Sequence, residues 1–126
     1  MHMDLPRILI IDSDRDNLAL IRNCLVNEAG YEVPLQASTM TEAQEAIGRI
    51  VELGINIVIL DARFKENTFE LDDADNLCAA IADTKANVKV ISITSRPNAP
   101  YGHTQFAKPI DFQRLPEKIW RTMRAR

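Results

Sequence analysis

Residues 8–12, ILIID, and residues 57–61, IVILD, decide the fold. Each is an unbroken run of Ile, Val and Leu ended by a single aspartate. A strand with one wet face alternates apolar and polar residues, whereas a strand apolar at every position is buried on both faces. Two such runs predict a parallel sheet sandwiched between helices, with Asp12 and Asp61 at strand ends.

The surrounding sequence supplies the rest of that architecture. From Asp14 to Gly30, Leu18, Ile21, Leu25 and Ala29 repeat at helical spacing, Asp14 or Asp16 suits the cap and Gly30 the stop. Tyr31–Ala37 reads as a weaker strand placed at a sheet edge by Pro34, which has no N–H to donate. Thr39 and Glu42 form a capping-box pair, and Ala43, Ala46, Ile47, Ile50 and Val51 make one helical face that ends at Gly54. After Asp61 comes an acidic, irregular stretch, FKENTFELDD, before Leu77, Cys78 and Ile81 resume a helical period up to about Asp83. Val88, Val90, Ile91 and Ile93 make another buried strand, closed by Thr94 and Ser95.

Strands alternating with helices in this way imply right-handed crossovers. The rhythm breaks at SRPNAPYGH, residues 95–103, because a crossover containing a helix takes roughly 10–12 residues or more. That stretch has no helical periodicity, so a loop or single turn is expected before the strand Thr104–Ala107. Lys108-Pro109 closes this strand. The last helix is expected from Asp111 as cap, with Phe112, Leu115, Ile119 and Met123 inward and Pro116 distorting its first turn.

Composition fits one globular domain, residues 4–126, with the first three residues read as a cloning remnant and start. The chain has 126 residues, 46% hydrophobic and 26% charged, with 15 basic against 18 acidic side chains and a net charge of −3. That apolar content excludes a disordered segment, and the charge lacks the basic field of a nucleic-acid binder. The basic residues Arg114, Lys118, Arg121, Arg124 and Arg126 read as a solvated face. No run approaches the ~18 apolar residues of a membrane span. Cys24 and Cys78, in separate apolar patterns, read as buried thiols, and a cytoplasmic location is expected. With only His2 and His103 and no Cys-x-x-Cys, zinc has no ligand set.

In an open doubly wound sheet, ligands bind beyond the carboxyl ends of the strands where strand order reverses. With the Pro34 strand at the edge, the order is 2-1-3-4-5, and the reversal falls between the strands ending in Asp12 and Asp61. Asp14 stands close by in sequence. Converging carboxylates repel unless a proton or a cation intervenes, and oxygen ligands with room for water suit Mg²⁺. Thr94 and Lys108 close the next two strands and add a hydroxyl and a fixed positive charge. An aspartate so placed can act as nucleophile toward a phosphoryl group. No glycine-rich phosphate loop follows the first strand, which argues against a nucleotide-binding enzyme.

On these four strand ends, and on the pieces ILIIDSDRDNL, EAQEAIGRIVELGINIVILD, VKVISITS and FAKPIDFQRL, the chain resembles the receiver domain of two-component response regulators, of CheY-like, flavodoxin-like fold. The resemblance runs from about Arg7 to Met123. It implies a signalling domain, not an enzyme with its own metabolic substrate. Asp61 matches the phosphoacceptor, Asp12 one member of the acidic pair, Thr94 the phosphoryl-sensing hydroxyl and Lys108 the family's lysine. The backbone carbonyl of Arg63 matches a carbonyl ligand of Mg²⁺. Implied partners are a histidine kinase or phosphotransfer protein and an output protein or domain. The chain also departs from the pattern. Ser13 stands where a second acidic metal ligand is expected, leaving Asp14 as an imperfect substitute. Arg63 and Arg96 border the site with guanidinium groups. Gln105 takes the switching-aromatic position, and the helix between the fourth and fifth strands is missing or reduced to a turn. These departures carry an alternative, a pseudo-receiver that serves as a phosphorylation-independent interaction module.

Overall fold

The computed structural model describes residues 5–61, 73–94, 104–107 and 110–125. Its elements, in chain order, are β1 (Arg7–Asp12), α1 (Arg15–Asn23) with a π-helical turn Cys24–Glu28, β2 (Glu32–Ala37), α2 (Met40–Ile47) and α3 (Ile50–Leu53), followed by β3 (Ile57–Asp61), α4 (Asp73–Asp83), β4 (Lys89–Thr94), β5 (Thr104–Ala107) and α5 (Leu115–Arg124). The strands form one sheet in the order β2-β1-β3-β4-β5, every neighbouring pair parallel.

The fully apolar strands divide their side chains between two layers, because successive residues of a strand point to opposite faces. Leu9, Ile11, Val58, Leu60 and Val90 pack with Ala43, Ala46, Ile47, Ile50, Leu77 and Ile81, so α2, α3 and α4 cover one face. Ile8, Ile10, Ile57, Ile59, Ile91 and Ile93 pack with Leu18, Ile21, Leu25, Leu115 and Ile119, so α1 and α5 cover the other. Asp12 and Asp61 share the parity of the second set, which turns both toward the α1 side of the sheet.

Local chemistry explains the element ends, and several differ from the sequence reading. α1 starts where Asp14 accepts hydrogen bonds from the backbone N–H groups of Asp16 and Asn17. The helix reaches the expected stop through the π-helical turn, and Gly30 supplies the positive φ of 74° that ends it. Cys24 lies in that turn, buried, and burial first, then the neighbouring Glu28, pushes its thiol up to about 11. Cys78 corrects the expectation of two buried thiols, since it is only half-buried at the rim of the first core layer.

Pro34 places β2 at the edge as expected, and the sheet accommodates it with a bulge: Arg7 pairs with Glu32 but Leu9 with Leu35. Two steps along β1 thus face three along β2, leaving an extra residue where the ladder donor is missing. Thr39 caps α2 by accepting from the Glu42 backbone N–H, but Glu42 turns its carboxylate to the backbone N–H and hydroxyl of Ser38, one residue before the reciprocal partner of a capping box.

The single helix expected to Gly54 is two, broken between Gly48 and Arg49. Val51, at the margin of the apolar stripe, is turned out by this break and is 66% exposed rather than buried. α4 begins at Asp73, ahead of its apolar period. The last helix proper begins at Leu115 rather than at Asp111. Asp111 instead closes a preceding turn, its carbonyl accepting from Arg114 and Leu115 and its carboxylate from Gln113. Pro116 fits only the first turn of a helix, where its missing N–H has no carbonyl to meet. The expectation that residues 95–103 hold no helix lies outside the described residues, as does the Lys108-Pro109 pair.

Candidate functional site

The site is built at the carboxyl ends of β1 and β3, the neighbouring strands on either side of the reversal in strand order. Asp12 and Asp61 are register partners on these strands, following Ile8–Ile57 through Ile11–Leu60. Hydrogen-bonded parallel strands lie about 4.8 Å apart, so this register brings two carboxylates side by side. Both are buried, Asp12 at 0% and Asp61 at 2% exposure. Charged groups are taken out of water at a high desolvation cost, and two like charges add repulsion.

The start of α1 offsets part of that cost. The backbone N–H of Asp14 donates to Asp12 Oδ1 at 2.9 Å, which directs the first donor of the β1–α1 turn at the buried charge. Asn17 sits in the first turn of α1, and helical Cα–Cβ bonds lean toward the helix N-terminus, here back over the strand ends. Its Nδ2 donates to Asp12 Oδ2 in a short hydrogen bond and reaches Asp61 Oδ2 at 3.4 Å. One neutral carboxamide therefore stands between the two carboxylates.

Asp14 is drawn near the pair by its position but has a local task. Its Oδ1 accepts from the backbone N–H groups of Asp16 at 3.0 Å and Asn17 at 3.2 Å, so the carboxylate caps α1. Ser13 is half-buried between Asp12 and this cap. Thr94 ends β4, where its backbone is in register with Ala107 of β5. Arg63, Arg96 and Lys108 lie outside the described residues. On the flank of the site, hydrogen bonds from the Ser38 backbone N–H and hydroxyl hold the Glu42 carboxyl below its ordinary value, with Arg15 adding to the effect.

Asn17 is the residue that sequence reasoning missed. The signal was present in the cap: with Asp14 as N-cap, Asn17 falls three residues into the helix, on the turn that faces the strand end it follows. The donor chemistry also bears on magnesium. Mg²⁺ is held by hard oxygens, often one or two carboxylates completed by water and phosphoryl oxygens. Asp12 and Asp61 fit as two such ligands. Among the described residues no group of three or more His, Cys, Asp and Glu side chains is gathered to hold a metal. The pair is thus the whole acidic contribution visible there, and an amide already occupies it.

A doubly wound parallel sheet with paired carboxylates at its switch point defines a flavodoxin-like α/β domain. Solved structures sharpen that class. The chain superposes with a CheY-like response regulator receiver domain from Methanospirillum hungatei JF-1 at a TM-score of 0.73 and 23% identity, covering 95% of this chain and 94% of that one. The signal receiver domain of the putative response regulator NarL from Mycobacterium tuberculosis gives a TM-score of 0.77 at 13% identity, covering 98% and 100%. CheY in the CheX-CheY-BeF3-Mg complex from Borrelia burgdorferi gives 0.75 at 18% identity, covering 92% and 87%. The fold is therefore that of CheY-like receiver domains. No protein-family model matches the chain, and no curated protein matches it either. No helix among the described residues is long and apolar enough to cross a membrane.

Proposed function

We propose that the domain is a receiver in two-component signalling that accepts a phosphoryl group on Asp61 and changes its affinity for an output partner as a result. The observation that carries this reading is the register pairing of Asp12 with Asp61, two buried carboxylates at the switch point of the sheet. Buried carboxylates of no structural necessity mark a reactive place, since apolar residues at the same strand ends would cost less.

In the proposed reaction, an Asp61 carboxylate oxygen attacks the phosphorus of a phosphohistidine on a kinase or phosphotransfer protein. The new O–P bond forms as the P–N bond breaks, and the departing imidazole keeps the electron pair and takes a proton from solvent. Asp12, Asp61 and the Arg63 carbonyl are the candidate holders of a magnesium ion, which when bound would neutralise charge on the phosphoryl oxygens. Asp14 adds negative charge nearby while capping α1. By resemblance, Thr94 and Lys108 read the acyl phosphate once it has formed. The domain acts on this reading as a switch rather than as an enzyme with turnover of a separate substrate, and in the cytoplasm.

A second reading has its own observation. Both Asp12 oxygens already accept hydrogen bonds, from the Asp14 backbone and from Asn17, and Ser13 adds no charge. A site satisfied in this way suits a pseudo-receiver that binds a partner without phosphorylation. Incubation with Mg²⁺ and a small phosphodonor, followed by intact mass, separates the two. The receiver reading expects a phosphorylated species that disappears in Asp61→Asn. An unmodified mass in the parent protein would overturn it in favour of the pseudo-receiver.

A further inference from the structure

Asn17 serves both carboxylates at once. A carboxamide carries two N–H donors, no charge and no proton to lose near neutral pH. Its Nδ2 meets Asp12 Oδ2 and Asp61 Oδ2, one oxygen from each of the two side chains that would hold a cation. The helix cap fixes its approach, because Asp14 pins the backbone N–H of Asn17 itself at 3.2 Å. The amide is therefore held over the pair by the same turn that delivers the Asp14 N–H to Asp12 Oδ1.

An amide N–H and a metal ion are mutually exclusive partners for one carboxylate lone pair. We propose that Asn17 is a positioning residue, a neutral clamp whose N–H groups hold Asp12 and Asp61 together without metal and compete with a divalent cation for their oxygens. This inference deepens the receiver reading and rests on it. It names a specific competitor for magnesium at the site, in addition to the missing acid at Ser13. The clamp keeps the carboxylates apposed in the metal-free domain and sets the cation concentration at which they are released.

The test is titration of the purified domain with MgCl₂ by calorimetry, in the parent protein, in Asn17→Leu and in Asn17→Asp. Leucine matches asparagine in size but donates nothing, so the clamp predicts Mg²⁺ binding about tenfold tighter in Asn17→Leu, the size expected for releasing one hydrogen bond to a charged group. Weaker binding in Asn17→Leu would make Asn17 a ligand through its oxygen and overturn the clamp. Equal binding would make it a purely structural contact and overturn the clamp as well.

Asn17→Asp separates this failure from failure of the receiver reading, because it restores a third carboxylate. If Asn17→Asp gains magnesium affinity while Asn17→Leu does not, the metal site stands and the clamp falls. If no variant binds Mg²⁺, both fall together. Thermal melting supplies a second readout in case a variant is poorly folded: the clamp predicts that Asn17→Leu melts below the parent without magnesium and that the gap closes in its presence. A gap of the same size under both conditions counts against it.

Discussion

Asn56, at the amino-terminal end of β3, and Asn17, over the carboxyl-terminal ends of β1 and β3, carry the same carboxamide into different surroundings. Asn56 is consumed by backbone: its Oδ1 accepts from the Arg7 N–H at 2.8 Å and its Nδ2 donates to the Leu5 carbonyl at 3.0 Å. Its own N–H and carbonyl join β1 and β4, through Arg7 and Lys89. Each of these partners is a neutral main-chain group, and the nearby Arg7–Glu32 ion pair lies at the surface. Asn17 serves two buried charges instead. The amino-terminal end of the sheet is thus finished by main-chain partners, whereas at the carboxyl-terminal end, on the proposal above, a neutral amide holds a place that a cation could take. Main-chain hydrogen bonds close one end, and a pair of buried carboxylates marks the other.

This contrast can be broken most sharply at Asn56. Asn56→Leu leaves the Arg7 N–H and the Leu5 carbonyl without their partner and is expected to cost about 2 kcal/mol in urea unfolding. The loss should be the same with and without magnesium. A magnesium-dependent loss at Asn56 would show that the two ends are coupled and undo the distinction.

A smaller effect is expected at the Arg7–Glu32 pair, whose side chains are 38% and 59% exposed. Glu32→Gln should cost less than about 1 kcal/mol at low ionic strength, with the difference fading in high salt. Arg7 remains anchored because its Nε donates to the Leu53 carbonyl at 2.8 Å. A loss that persists at high salt would mean that this end, too, depends on a buried charge.

The smallest effect is a pH dependence beside the site. Glu42 has a carboxyl lowered from its ordinary value of 4.5, chiefly by the Ser38 backbone N–H. A depressed carboxyl stabilises the fold fully above the unfolded value and loses that contribution as pH falls through the lower folded value. Glu42→Gln should therefore lower the melting temperature slightly near pH 7 and by less near pH 3, with a few tenths of a kcal/mol at stake on so exposed a group. An equal decrement at both pH values would assign the effect to packing instead of charge.

The strands and both acidic strand ends were legible because burial on two faces leaves an uninterrupted apolar run, and a polar residue that ends one stands out. Asp14 was legible as a cap for the same local reason. Asn17 was not, because an amide on the first turn of a helix is ordinary in sequence and acquires meaning only when β3 lies beside β1. Other misses share a physical origin in competition between neighbours. Glu42 satisfied Ser38 rather than Thr39, and Pro116 shifted a helix start that Asp111 could have made. The break after Gly48 is invisible to periodicity because Ile47 and Ile50, one on each side of it, both stay buried. Thr94 and Lys108 were legible from strand-end chemistry and family likeness together, the Arg63 carbonyl from family likeness alone.

The bulge at Pro34 has a consequence for how copies of this domain meet. An open parallel sheet has two bare borders, and a bare border is a template on which another chain can add a strand, the first step toward fibrous aggregation. At the β2 border an arriving strand would find the spacing disturbed by the bulge and an exposed Glu32 at its start. Sheet extension from that side is frustrated by the same residue that placed the strand there.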